Sequence, residues 1–171
     1  MLAVRAGDLA ALEQIVLRHQ AEAWRVAYRF TEDAAEAENL AQEAFLKVLD
    51  AAPRYKPTAT FRTFLFRILN RLCIDHVRKK RPTPTDNLPP RADDSLSGPQ
   101  QLVEAEREAL IQAALNALPA DYRMALVLRY FEGLGEAEIA DAMGRSVKAV
   151  ERLLSRARAA LEPRLRNLRE D

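Results

Sequence analysis

The sequence predicts an all-α protein made of two small helical domains joined by a flexible linker, and three observations carry that prediction. Ala, Leu, Glu and Arg dominate while aromatic residues are only 6% of the chain, a mixture that favours helices packed through aliphatic side chains. Apolar residues recur at helical spacing through most of the length, the pattern of amphipathic helices. Between residues 82 and 99 that periodicity stops, and five of the nine prolines (Pro82, Pro84, Pro89, Pro90 and Pro99) gather there with Asp86, Asp93, Asp94, Ser95, Ser97 and Gly98. Such a stretch cannot run as a regular helix and has little to bury. The domains are therefore set at 1–81 and 102–171, with 82–101 as the flexible linker. At about 20 residues the linker spans up to roughly 65 Å, so the two domains can act at separate places.

Bulk properties narrow the function. A chain of 171 residues, 49% hydrophobic and 30% charged with a formal charge of +1, is ordinary for a globular protein. Cys73 is the only cysteine and His19 and His76 the only histidines; an intrachain disulfide is excluded, and neither a metal site nor a cofactor is expected. No apolar run approaches the ~20 residues of a membrane span, and the start, MLAVRAGDLA, lacks the apolar stretch of a secretory signal. A cytoplasmic protein with no membrane insertion of its own is expected.

Taken in order, Asp8 to Phe30 keeps helical spacing through Leu9, Leu12, Ile15, Val16, His19, Ala23, Val26, Ala27 and Phe30. His19 lies on that apolar stripe and is expected to be packed or bonded rather than a ligand. Asp33 is a candidate N-cap, with Glu36 three residues on in a box-like pattern. The helix it opens runs to Asp50 with Leu40, Ala44, Phe45, Val48 and Leu49 apolar and Glu36, Glu38, Glu43 and Asp50 acidic. An acidic face beside a basic helix repels DNA, so it either solvates the domain or docks on a positively charged protein. Pro53 and Pro57 then bracket a loop, 54–60.

From Thr60 to Arg81 the chain is strongly basic. Phe61, Leu65, Ile68, Leu69 and Leu72 form a core-facing stripe, while Thr63, Arg67, Asn70, Arg71 and Arg78 fall on the opposite side with Phe64 at the border. Cations neutralise phosphates, Asn pairs with an exposed base edge, and an aromatic ring beside them stacks on an unpaired base for roughly 1–3 kcal/mol. The alternative is a solvated helix face with a core aromatic.

In the second domain a helix from Leu102 is expected to end at Leu118, before Pro119, with Val103, Ala109, Leu110, Ala113, Ala114 and Leu115 apolar. A further helix runs from Asp121 to Phe131 and stops at Gly133 and Gly135. Next, EAEIADAMGRSVKAVERLLSRARAAL has helix-turn-helix spacing. Ile139, Ala140 and Met143 face a core, Gly144 takes the left-handed turn, and Ser146 caps a longer helix. That helix buries Val150, Leu153, Leu154, Ala157 and Leu161 and leaves Lys148, Ala149, Arg152, Ser155, Arg156 and Ala159 outward. Donors among small residues suit close approach to a major groove; the alternative is an amphipathic helix with solvated arginines.

The strings AEAENLAQEAFLKVL, FRTFLFRILNRLCIDHVRKKR, ALNALPADYRMALVLRYFEGLGEAEIADAMG and SVKAVERLLSRARAAL, in this order and covering nearly the whole chain, resemble the extracytoplasmic-function sigma factors, the compact two-domain sigma-70 type of bacterial RNA polymerase initiation subunit. The resemblance implies a region 2 domain that docks on core polymerase and opens and holds the −10 element, and a region 4 helix-turn-helix that reads the −35 element. Carried over by position, it assigns Glu38, Asn39, Leu40, Gln42, Glu43 and Phe45 to the segment that docks on the β′ clamp of the polymerase, with region 4 meeting the β flap. Phe64 takes the strand-separating aromatic position and Asn70 the place near the flipped non-template base. The loop Lys56 to Phe61 corresponds to the specificity loop, and Arg67, Arg71, Arg78, Lys79 and Lys80 to backbone contacts. Ser146, Lys148, Ala149, Arg152, Ser155 and Arg156 are assigned to the −35 element. The chain departs from the family at Phe64, where Trp is common, at Asn39, where Asp is common, and at Ala149-Val150-Glu151-Arg152-Leu153, where Thr-Val-Lys-Ser-Arg is common.

The implied activity is promoter selection without catalysis, under the control of an anti-sigma factor. The rival reading is a sigma-like decoy that binds an anti-sigma factor and never initiates transcription. A repressor acting without polymerase would need an operator-binding dimer surface or ligand pocket that the sequence does not display. An enzyme would need a nucleophile and base, a phosphate loop or a metal-ligand spacing, none of which is evident.

Overall fold

The computed structural model describes residues 1–80 and 99–166, and every regular element among them is helical. Arg81 and residues 82–98 of the expected linker lie outside the described residues, as do 167–171. The N-terminal helices are α1 (Leu2–Arg5), α2 (Leu9–Thr31), α3 (Ala34–Ala51) and α4 (Phe61–Lys80), with a 3₁₀ turn at Ala52–Arg54 before α4. The C-terminal helices are α5 (Pro99–Asn116), α6 (Ala120–Leu126), α7 (Glu136–Met143) and α8 (Val147–Arg166), with a π turn at Val127–Phe131 continuing α6. Helix α5 thus begins before residue 102, with Pro99 in its first turn, where a missing N–H costs nothing.

Local chemistry explains the boundaries. The Asp8 carboxylate accepts the Ala11 N–H, and Asp33 accepts from both Ala35 and Glu36, so α2 and α3 start on side-chain caps. Glu32 closes α2 in the left-handed conformation at φ 53°, which lets the chain reverse directly into α3. Gly144 (φ 64°, ψ 40°) ends α7, and Ser146 Oγ accepts the Ala149 N–H at 3.2 Å to open α8. Leu118 closes the turn after α5 ahead of Pro119.

Helix α4 is the hub. It packs on α2 and α3 on one side and on α6 and α7 on the other. Buried apolar residues of the two helical sets, among them Val26, Phe30, Leu65, Phe66, Leu69, Met124, Leu128 and Ile139, belong to one connected cluster. The sequence leaves the placement of the two sets open; here they share a core. Arg123 on α6 fastens it, 8% exposed, with its guanidinium donating to the carbonyls of Phe30 (3.2 Å) and Asn116 (2.8 Å). Burial draws that guanidinium's pKa down, and its remaining interactions with Glu32 and Cys73 work the other way.

Packing from two sides corrects the expected face of α4. Thr63, expected to point outward, is 2% exposed and shares a 2.9 Å hydrogen bond with Thr60. Phe66, absent from the expected stripe, is fully buried, whereas Phe61 and Ile68 are only half-buried. A single-stripe reading misses residues that face a second partner. Elsewhere Leu9 and Leu49 are exposed, and in α5 the core contacts come from Ala114, Leu115 and the half-buried Ile111 while Val103 and Leu110 face solvent.

Candidate nucleic-acid interface

On α4 the expected −10 residues fall into two groups. Arg71, Arg78 and Lys79 are exposed, and Lys56 stands exposed in the loop ahead of them; the side chain of Lys80 lies outside the described residues. Phe64 and Asn70 are half-buried. The Phe64 ring meets Tyr55 edge-on at 5.1 Å and lies 6.2 Å from Phe61, so its orientation is set by an aromatic cluster. Asn70 Oδ1 is buried and finds no hydrogen-bond partner among the described residues. Arg67 is engaged instead of free: its Nε donates to the Asp141 carbonyl of α7 at 2.9 Å, with the Asp141 carboxylate 4.0 Å from Nη2.

Beside this face lies a hollow of about 420 Å³ lined by Ile15, Arg18, His19, Tyr55, Pro57 and Phe61 together with Met1, Leu2 and Gln14. The α2 and Tyr55 contributions escape a reading of the loop alone, because they come from other parts of the chain. Helix α1 closes one side, and Arg5 Nη1 donates to the Tyr55 carbonyl at 3.3 Å. The one available signal was His19 on the apolar stripe. It is bonded as expected, Nδ1 lying 3.2 Å from Glu22 Oε2, and its ring sits 5.0 Å from Phe61.

The outward face of α8 is different. Lys148, Arg152, Ser155 and Arg156 are exposed and Ala149 half-buried, while Val150, Leu153, Leu154 and Ala157 face inward. Arg152 and Arg156 form no hydrogen bond or ion pair among the described residues. Ser146, at the mouth of the helix, spends its hydroxyl on the cap. A row of free guanidinium and hydroxyl donors over a small residue is geometry that duplex phosphates and base edges accept.

On α3, Glu38, Asn39, Gln42 and Glu43 are exposed, whereas Leu40 (6%) and Phe45 (9%) belong to the core. The two apolar residues therefore support this face from within. Phe45 also floors a groove of about 510 Å³ between α2 and α3, walled by Val16, Trp24, Arg25, Glu38, Ala41 and Gln42. Gln42 Nε2 donates to Glu38 at 3.1 Å, fixing two of the polar side chains relative to one another.

No helix among the described residues is long and apolar enough to cross a membrane. Comparison with known proteins agrees with the two-part organisation: residues 15–83 match the family model of sigma-70 region 2, and residues 108–161 that of sigma-70 region 4. The chain is 34% identical to the RNA polymerase sigma-H factor of Pseudomonas aeruginosa, over 96% of its own length and 91% of that protein. It is 31% identical to the ECF RNA polymerase sigma factor SigW of Bacillus subtilis, over 96% and 94% of the two chains. Among solved structures, CnrH in complex with the cytosolic domain of CnrY superposes with a TM-score of 0.74 at 27% identity, covering 96% of this chain and 94% of that one. With both sigma regions matched in order and full-length relatives above 30% identity, the chain belongs to the extracytoplasmic-function sigma factors of the sigma-70 family.

Proposed function

We propose that this sigma factor selects promoters by two contacts of different kinds, reading the −35 element as intact duplex with α8 and holding unpaired −10 bases of the non-template strand with α4. The supporting observation is the contrast between a solvent-facing row of unpaired donors, Lys148, Arg152, Ser155 and Arg156, and a second basic surface built around an aromatic ring and an amide, Phe64 and Asn70. Duplex recognition needs donors that reach a groove. Single-strand capture needs a platform for a base with cations beside it. Lys56, Phe61, Arg67, Arg71, Arg78, Lys79 and Lys80 complete the second surface.

Binding unpaired bases better than paired ones pulls the promoter towards its open form, with no covalent chemistry. The polymerase supplies position: Glu38, Asn39, Gln42 and Glu43 on α3 present the face for its β′ clamp, backed by Leu40 and Phe45. A formal charge of only +1 leaves the free chain a weak DNA ligand, so linkage through polymerase is what makes both contacts effective. Control by an anti-sigma partner is part of the proposal. It is supported by the similarity to CnrH, which was solved bound to the cytosolic domain of CnrY.

The test is transcription in vitro with core RNA polymerase on a genomic fragment library, with start sites read by sequencing. Discrete start sites sharing upstream elements, lost on combining Phe64→Ala with Asn70→Ala, are expected. Binding to an anti-sigma factor with no start sites from any fragment would make the chain a decoy instead.

A further inference from the structure

The contact that closes the C-terminal helices over α4 is centred on one carboxylate, Glu132. Its side chain is 2% exposed, and Oε2 accepts from Arg62 of α4 at 3.1 Å and from Arg25 of α2 at 3.5 Å. The Glu132 backbone carbonyl takes a second bond from Arg62 at 2.8 Å. Arg62 in turn donates from Nε to Glu22, the carboxylate that also meets His19. A fold reason places Glu132 there. The π turn at Val127–Phe131 inserts an extra residue in the helical ladder, with the Glu132 N–H bonded to the Val127 carbonyl. π turns of this kind concentrate at sites with a role beyond structure. The same turn sets Phe131 under the guanidinium of Arg29, 3.5 Å from the ring centroid.

Two donors of α4 are thereby matched to acceptors of the C-terminal helices: Arg62 to Glu132, and Arg67 to the Asp141 carbonyl. These are the kinds of bonds an arginine makes to a phosphate. A buried carboxylate satisfied by two guanidinium groups is held firmly when paired, yet its desolvation offsets most of the gain, so the exchange for solvent and nucleic acid is not prohibitive.

We infer that Glu132 is an autoinhibitory latch: by gripping Arg62 and Arg25 it holds α7 against α4 with Arg67 engaged, and single-stranded DNA gains the whole of the −10 face, Arg67 included, only when the latch lets go. The inference rests on the −10 role proposed for α4. In the latched form Arg67 is occupied, and the apparent affinity for a single strand is lowered in proportion to the population that is open. A swing of the C-terminal helices parts the apolar contacts they share with α4 and frees Arg67 in one movement.

The test uses the full chain with Asp50→Cys and Glu162→Cys, both exposed positions on α3 and α8, carrying spin labels. Cys73 does not compete for label, because burial pushes its thiol up to about 12. Inter-label distances are measured for this background, for Glu132→Gln, for Glu132→Arg, and for Glu132→Arg combined with Arg62→Glu. Binding of a short random-sequence fluorescent single strand is measured in parallel. Opening in both single variants, a gain of about tenfold in single-strand affinity, and partial reclosure in the charge swap are expected. Unchanged distances in both Glu132→Gln and Glu132→Arg overturn the latch. Opening without any gain in single-strand affinity, in a chain that still initiates transcription with core polymerase, overturns the autoinhibition while leaving the promoter reading intact. Failure of the unmodified chain to initiate at all instead removes the promoter reading.

Discussion

Helices α4 and α8 are each 20 residues long, and both are rich in arginine, yet the fold treats their basic faces in opposite ways. Helix α8 is supported by α5, α6 and α7, and its outward row is left to solvent. Helix α4 is enclosed by α2, α3, α6 and α7, so Arg62 and Arg67 are already bonded to protein partners while Arg71, Arg78 and Lys79 stay exposed. An outward row kept open suits a ligand that arrives preformed, such as a duplex. A shared face suits a ligand that exists only after a change of state, since protein contacts there must first be exchanged.

Loss of the shared core would break this comparison most severely. Arg123→Ala takes the donor away from the buried Phe30 carbonyl and the part-buried Asn116 carbonyl, a cost of about 2–4 kcal/mol. Thermal melting is expected to drop by roughly 5–15 °C for a chain of this size. A shift near zero would mean that α6 does not rest on the end of α2 in solution, and the enclosure of α4 would go with it.

The next effect sharpens the comparison on the α4 side alone. Phe64→Ala removes the ring that Tyr55 holds in place and is expected to cost about 1–3 kcal/mol in single-strand binding, roughly 5- to 150-fold. Duplex binding through α8 should not change. Fluorescence anisotropy with matched single-stranded and double-stranded oligonucleotides separates the two. Equal loss on both would show that Phe64 supports the fold rather than a base.

The same asymmetry explains what was legible in the sequence. Helix α8 packs from one side, so a single apolar stripe defined both its buried and its exposed residues, from Val150 to Arg156. The caps at Asp8, Asp33 and Ser146 and the turn at Gly144 were equally local, each needing only residues within one turn. Helix α4 has partners on two sides, and the second set comes from residue 99 onward; a single-stripe reading leaves Thr63 and Phe66 unsorted. Glu132 was illegible for the same reason. Its partners Arg25 and Arg62 lie 107 and 70 positions away, and a π turn has no periodic mark in the sequence.

On the α8 side the expected effects are smaller but more specific. Arg152→Ala is expected to cost about 1–3 kcal/mol on a preferred duplex and little on a random one, if it reaches a base edge. Lys148→Ala, as a phosphate contact, should weaken all duplexes alike and lower the slope of log affinity against log salt by about 1. Selection of bound duplexes from a randomised pool, repeated at several salt concentrations, tells the two behaviours apart.

Ser146 offers the finest division, because one hydroxyl is asked to serve both the fold and the duplex. In the structure Oγ accepts the Ala149 N–H at 3.2 Å, so removal by Ser146→Ala should cost about 1 kcal/mol of stability from the lost cap. Ser146→Asp keeps an acceptor at that point and favours the positive end of the helix dipole, so stability should hold or rise by a few tenths of a kcal/mol. The same Asp places a negative charge where α8 would enter a groove, and duplex affinity should fall while single-strand binding stays as it was. If Ser146→Asp left duplex affinity unchanged, the start of α8 would lie clear of the phosphates, and duplex contact would be confined to Arg152, Ser155 and Arg156 further along the helix.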